Sequence, residues 1–220
     1  MKVAIDGPAG AGKSTIARAA ASELGFVYID TGAMYRAVAL YCVRKNTDTK
    51  KNVEGVIRLL PEIDVAIRHY EGQQRVFLGE EDVSSQIRTP EISVAASDVA
   101  VIPEVRLKLV ELQRKLSEET DVIMDGRDIG TYVLPDAEVK IFLTADVEQR
   151  AERRFKELCE KGTETTLEDV LQDMKYRDAN DAGRSCAPLR QAEDAVLLDN
   201  THLSPEESIE KVIHLIRGEA

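Results

Sequence analysis

The 220-residue chain carries a formal net charge of −11, is 43% hydrophobic and has three cysteines. Its length suits one α/β domain with inserts and its composition permits a full core, while the acidic balance argues against broad binding of nucleic acid or of an anionic membrane surface. No apolar run is long enough to span a bilayer, the step from Lys2 to Asp6 leaves no secretory apolar region, and Cys42, Cys159 and Cys186 have no metal spacing, so reduced thiols in a cytoplasmic protein are expected.

Val3-Ala4-Ile5 reads as a buried strand, and directly after it comes Gly7-Pro8-Ala9-Gly10-Ala11-Gly12-Lys13-Ser14-Thr15. This run fits G-x-x-x-x-G-K-[ST], the loop whose curled backbone turns N–H groups toward phosphate oxygens. An Ala-rich helix pattern to Leu24 follows, with Gly25 as its stop. The helix N-terminus favours the same anion. Lys13 is expected to reach the β- and γ-phosphates of a nucleotide and Ser14 to ligate Mg²⁺. The plainer reading is a glycine-rich turn with an exposed lysine; strand, loop and helix in register argue against it.

Phe26 to Ile29 predicts a second strand, ending in Asp30-Thr31-Gly32, then a long helix with Tyr35 and Arg36 in its first turn. Such a unit places Thr31, Tyr35 and Arg36 toward the carboxyl edge of a sheet, where open α/β sheets bind ligands. Arg36 also reads as a solvated helix charge. Residues 61–90 change texture: alternation from Asp64 to Tyr70, a turn at Glu71-Gly72-Gln73, and a β-rich Arg75 to Leu78 predict a small antiparallel insert, either a flap or an ornament. Helices follow from Glu91, with Ser97 beside the apolar stripe, and from Pro103, with Arg106 near the start.

Asp121 to Asp125 predicts a buried strand ending in an acid. Asp125 is placed either to hold Mg²⁺ or its water shell, or to hydrogen-bond the turn at Gly126. After the strand at Val139 to Leu143, Asp146 and Gln149 have capping-box spacing. The helix they open carries Arg150, Arg153 and Arg154 at i, i+3 and i+4, one face of a helix. That face either neutralises a transferring phosphoryl group or pairs with Glu148, Glu152 and Glu157 on a surface helix. A helix capped by Thr166 carries Arg177, Asp181 and Arg184 at i, i+4 and i+7. Ala195 to Leu198 is the last strand, and Ser204-Pro205-Glu206-Glu207 opens the last helix.

Several blocks together resemble the bacterial-type cytidylate (CMP) kinases among the P-loop nucleoside monophosphate kinases. They are Ile5-Asp6-Gly7-Pro8, Asp30-Thr31-Gly32-Ala33-Met34-Tyr35-Arg36, Ile87-Arg88-Thr89, Asp125-Gly126-Arg127-Asp128-Ile129-Gly130-Thr131 and Ala187-Pro188-Leu189. The resemblance covers nearly the whole chain. It implies a five-stranded parallel sheet flanked by helices in one domain, 1–220, with a monophosphate-binding insert at 61–90 and a lid at 150–165. It further implies that Ser97, Arg106 and Asp128 face cytosine, Arg177 and Asp181 the ribose, and Arg36, Arg127 and Arg184 the acceptor phosphate, with Thr31 and Tyr35 in the same pocket.

The chemistry agrees with that implication. A phosphate-bearing acceptor needs several fixed guanidinium groups to approach a triphosphate; a sugar acid would need fewer. Cytosine offers an amino group that the Asp128 carboxylate can accept from, whereas uracil presents a carbonyl; one such contact discriminates about 5- to 150-fold. The expected reaction is direct in-line transfer of the ATP γ-phosphoryl to CMP or dCMP, with Mg²⁺, by Lys13, Arg127, Arg150, Arg153, Arg154 and Arg184. A monomer that binds neither nucleic acid nor membrane is expected. The alternatives are a P-loop kinase for UMP, another monophosphate or a sugar acid, and a GTP-driven switch. The second lacks its usual D-x-x-G and N-K-x-D runs here.

Overall fold

The computed structural model describes residues 1–70, 73–118, 120–160 and 162–219. In chain order it begins with β1 (Lys2–Asp6), α1 (Lys13–Leu24), β2 (Val27–Asp30) and α2 (Thr31–Arg44). Next come α3 (Val53–Leu59), β3 (Val65–Tyr70), β4 (Gln73–Leu78), β5 (Glu81–Asp82), α4 (Pro90–Val99) and α5 (Pro103–Leu116). The chain ends with β6 (Val122–Gly126), a π-type turn at Ile129–Val133, β7 (Val139–Thr144), α6 (Val147–Glu160), α7 (Leu167–Gly183), β8 (Val196–Asp199) and α8 (Pro205–Arg217). Of the expected turn at Glu71-Gly72-Gln73, residues 71 and 72 lie outside the described residues, as does Lys161 of the expected lid. No described helix is long and apolar enough to cross a membrane.

Two compact units divide the chain: Met1–Tyr28 with Thr120–Ala220, and Ile29–Glu119. The five-stranded sheet has the order β2-β6-β1-β7-β8. In the first unit β1 pairs in parallel with β6 and β7, with Ile5 opposite Asp125 and Ile141, and β7 pairs in parallel with β8. Val3, Ile5, Ile123, Ile141 and Leu143 are buried near-continuously, as strands covered on both faces require. Ile16, Ala17 and Ala20 of α1 and Val212, Ile213 and Ile216 of α8 belong to the same core; each large aliphatic side chain there contributes about 1.5–3 kcal/mol. This register sets Asp6, Gly126, Thr144 and Asp199 at the carboxyl ends of their strands.

α8 begins as the spacing predicts: the Ser204 hydroxyl accepts from Glu207 N–H while the Glu207 carboxylate accepts from Ser204 N–H. The box expected at Asp146 and Gln149 is not completed. Asp146 N–H donates to Thr201 Oγ1 at 3.0 Å, and Gln149 Nε2 donates to Glu152 at 3.4 Å. A tertiary hydroxyl arriving from beyond β8 outcompetes the local partner. α7 ends at Gly183, so Arg184 lies past the helix in extended backbone rather than on its face.

In the second unit β3, β4 and β5 form the expected antiparallel sheet, Ile67 opposite Val76. α2 and α4 pack together, and Met34, Val38, Val76, Val83, Ile87 and Leu109 share one core. α2 starts one turn earlier than a free Asp30-Thr31-Gly32 loop would allow. Asp30 ends β2 and its carboxylate accepts from Ala33 N–H at 2.9 Å, so the block is a cap and first turn together.

Candidate active site

The phosphate loop is held by its carbonyls. Lys13 Nζ donates to Pro8 O at 2.8 Å, Arg150 Nη1 to Ala9 O at 2.7 Å and Asn200 Nδ2 to Ala11 O at 2.9 Å. A loop whose carbonyls are tied to one side offers its N–H groups to the other. Gly7 has φ +149°, and a Cβ there would lie 1.9 Å from Leu143 O, so the loop passes β7 closer than any side chain permits. Lys13 is 5% exposed. Burial, and next the Arg127 guanidinium, pull its ammonium pKa down to about 7, against the pull of Asp125, Asp181 and Asp6. A triphosphate brought to this loop would add negative charge that favours the ammonium form.

Ser14, at the start of α1, donates its hydroxyl to Asp125 Oδ2 at 2.8 Å, and Tyr28 OH donates to Asp125 Oδ1 at 3.2 Å. Asp125 is therefore turned toward the loop. A hydroxyl and a buried carboxylate side by side suit Mg²⁺, which takes hard oxygen donors, keeps several waters and binds phosphate oxygens. Among the described residues no group of three or more His, Cys, Asp or Glu could hold a metal by themselves.

A second charged cluster joins β6 to α7. Arg127 Nε donates to Asp181 Oδ2 at 2.7 Å, and Arg184 Nη2 donates to Asp181 Oδ1. Burial alone would raise the Asp181 pKa, yet Arg127 and Arg184 outweigh it and hold the carboxyl below its ordinary value. Two guanidinium groups share the Asp181 carboxylate, and Asp125 and Asp178 also act on the half-buried Arg127. Arg177, four residues before Asp181 on α7, is half-buried and also lowers the Asp181 pKa.

The three α6 arginines do not act as one face. Arg150, 5% exposed, turns inward to Ala145 O at 2.9 Å, Ala9 O and Asp178 Oδ2 at 2.8 Å. Arg153 donates to Asn200 O at 2.7 Å, Asn200 Oδ1 at 3.2 Å and Thr201 O at 3.1 Å. Arg154 pairs with Glu157 at 2.7 Å. Helical spacing sets where the Cα atoms stand; a long guanidinium side chain then follows the nearest acceptors. Arg150 and, through Asn200, Arg153 are thus supports of the phosphate loop. Nothing local in the sequence marks Asn200, because the bond that gives it this place reaches 189 residues away.

Asp6, at the end of β1, accepts from Ile129 N–H and Gly130 N–H, both at 2.8 Å. Its burial pushes the carboxyl pKa up to about 7, against those two hydrogen bonds. The following turn begins at Asp128, which is buried.

In the second unit Asp30 gathers arginines. Arg88 Nη1 lies 3.0 Å and Arg36 Nη1 3.7 Å from Asp30 Oδ2. Burial would raise the Asp30 pKa, but Arg36 and then Arg88 bring it below its ordinary value. Arg88 thus joins Arg36 on the Asp30 carboxylate; its only sequence signal is the block Ile87-Arg88-Thr89. Thr31 and Tyr35 are buried on α2, Ser97 is buried on α4, and Arg106, fully buried on α5, donates to Ala100 O at 3.2 Å and lies 5.6 Å from the Tyr35 ring centre.

Comparison with known proteins adds to this geometry. The family described as cytidylate kinase matches residues 3–218. A cytidylate kinase from Caldicellulosiruptor saccharolyticus is 53% identical over 215 residues, covering 98% of this chain and 95% of that protein. One from Caldanaerobacter subterraneus subsp. tengcongensis is 52% identical over 217 residues, covering 99% and 95%. A gluconokinase structure from Sinorhizobium meliloti, 12% identical with a TM-score of 0.52, covers 99% of this chain and 93% of its own and shares the fold.

Proposed function

The chain belongs to the cytidylate kinase family, and from that premise we propose that it transfers the γ-phosphoryl group of ATP to CMP, giving CDP and ADP, with dCMP as a second acceptor. The observation that carries the reading is the pairing, within one compact unit, of a phosphate loop with the Arg127–Asp181–Arg184 cluster. A loop alone serves any nucleoside triphosphate; several fixed guanidinium groups suit an acceptor that is itself a phosphate dianion.

Residues 7–15 hold ATP. In the first unit the candidates for CMP recognition are Arg127, Asp128, Arg177, Asp181 and Arg184; the second unit carries its own candidates, Thr31, Tyr35, Arg36, Ser97 and Arg106. Asp128 accepts from the cytosine amino group, and Arg127 and Arg184 hold the phosphate. Ser14 and Asp125 would hold Mg²⁺, which when bound would supply charge neutralisation on the donor phosphates.

In the transfer a non-bridging oxygen of the CMP phosphate bonds to the γ-phosphorus. The bond from that phosphorus to the β–γ bridging oxygen breaks, and ADP leaves with the electron pair. The attacking oxygen is already anionic, so no side chain has to remove a proton. Lys13 exchanges Pro8 O for phosphate oxygens, and Arg127, Arg154 and Arg184 offset charge as the two phosphates meet. Arg150 and Arg153 contribute by keeping the loop in shape.

A coupled assay with ATP and a panel of CMP, dCMP, UMP, AMP, GMP and gluconate tests the reading. CMP and dCMP are expected to be turned over best; turnover of AMP or gluconate without CMP overturns it. We also propose a monomer acting in the cytoplasm, to be checked by sedimentation and fractionation.

A further inference from the structure

Asp6 has no part in the reaction just described, yet it is a carboxylate only 5% exposed at the root of the phosphate loop. A buried carboxylate persists where donors satisfy it. Its two oxygens accept from Ile129 N–H and Gly130 N–H, each at 2.8 Å and 123 and 124 residues away. These are the first two N–H groups of the Ile129–Val133 turn, donors that a helical turn leaves without an internal acceptor.

The residue that opens such a turn ordinarily caps the N–H of its second or third position with its own side chain, which here includes Gly130, and aspartate is among the best at it. Here that residue is Asp128, and its side chain makes no capping hydrogen bond. Its carbonyl accepts from Tyr132 N–H at 2.9 Å and Val133 N–H at 3.1 Å, which holds the backbone on the other side. A Cβ on Gly130 would meet Asp6 Oδ2 at 3.4 Å, an ordinary contact, and would press on the Lys140 side chain, whose Cδ lies 3.1 Å away.

We propose that Asp6 is a positioning residue for base specificity: it caps the 129–133 turn from a neighbouring strand and thereby keeps the Asp128 carboxylate from folding back to do so. This rests on the reading that Asp128 accepts from the cytosine amino group. In Asp6→Asn one acceptor oxygen becomes an amide that faces an N–H, the cap is half lost, and Asp128 becomes its replacement. A support of general structure would lower turnover of every acceptor alike. A support of Asp128 lowers CMP selectively.

The test compares kcat/KM for CMP and UMP in the unmodified protein, Asp6→Asn, Asp128→Ala and the double variant. Asp6→Asn is expected to lower the CMP-to-UMP ratio by about 10-fold, the scale of one misplaced hydrogen bond. Asp128→Ala lowers it likewise, and the double variant no further. If Asp128→Ala leaves the ratio unchanged, the base reading itself fails. If Asp128→Ala collapses the ratio while Asp6→Asn lowers both acceptors equally, only the role of Asp6 is overturned. Amide hydrogen exchange on the unmodified protein is independent of how the variants fold. The Ile129 and Gly130 amides should exchange slowly, and exchange at the rate of an open loop overturns the cap.

Discussion

Arg150→Met separates loop support from direct catalysis. The substitution keeps the length and apolar stem of the side chain and removes its donors. Three acceptors then lose a charged partner inside the protein: Ala145 O, Ala9 O and the Asp178 carboxylate, which Arg150 meets at 2.7 to 2.9 Å. Only 7% of the Arg150 side chain is exposed, so water does little to screen the pair or to replace it. Breaking a buried pair from one side costs about 3–5 kcal/mol. In a chain of this size that lowers the melting temperature by roughly 6–20 °C. Ala9 O is also released, so the loop holds ATP less well. Thermal unfolding by circular dichroism and steady-state kinetics at varied ATP give both quantities. The expected result is a large fall in melting temperature, a raised KM for ATP, and a kcat at saturating ATP reduced by less than about tenfold. A melting temperature within about 2 °C of the unmodified protein, together with a kcat lowered by about a hundredfold, would refute the loop-support assignment.

Arg154→Ala should behave oppositely. Its pair with Glu157 is partly exposed and contributes about 0–1 kcal/mol, so stability stays while kcat falls; unchanged kcat removes it from the transfer step. Lys13→Ala should lower kcat far more than it weakens CMP binding, measured by turnover and by calorimetry with CMP alone, since its assigned contacts are on the donor. Gly7→Ala should abolish ATP binding and destabilise by about 4 kcal/mol or more, because the added Cβ has no room beside Leu143 O; a folded, ATP-binding variant contradicts the geometry. For Asp6, whose pKa is raised from 3.8 to about 7, the native state keeps a proton that the unfolded chain has released across that window. Its contribution to stability is therefore full below pH 3.8 and is lost as pH rises to about 7. Urea unfolding between pH 4 and about 7 should fall in stability with pH more steeply for the unmodified protein than for Asp6→Asn, and parallel curves would reject the shift.

Strands, helix starts and the phosphate loop were legible in the chain because their causes are local. The Ser204–Glu207 box bonds residues three apart, Thr166 accepts from Asp169 N–H three residues on, and residues 7–15 are contiguous. Alternation and helical stripes likewise predicted β3, β4, α5 and α8 from neighbours in sequence. The uses of the charged residues were not legible. Arg150, Arg153 and Arg154 share helical spacing, yet they end on the phosphate loop, on residues 200–201 and on Glu157. Asp146 loses its local box to Thr201, and the cap of the 129–133 turn comes from Asp6 rather than from Asp128. A capping or stripe signal is set by bonds spanning one helical turn, so sequence alone determined it. A guanidinium or carboxylate chooses among acceptors brought near by the strand order β2-β6-β1-β7-β8, and that order exists only once the chain has folded.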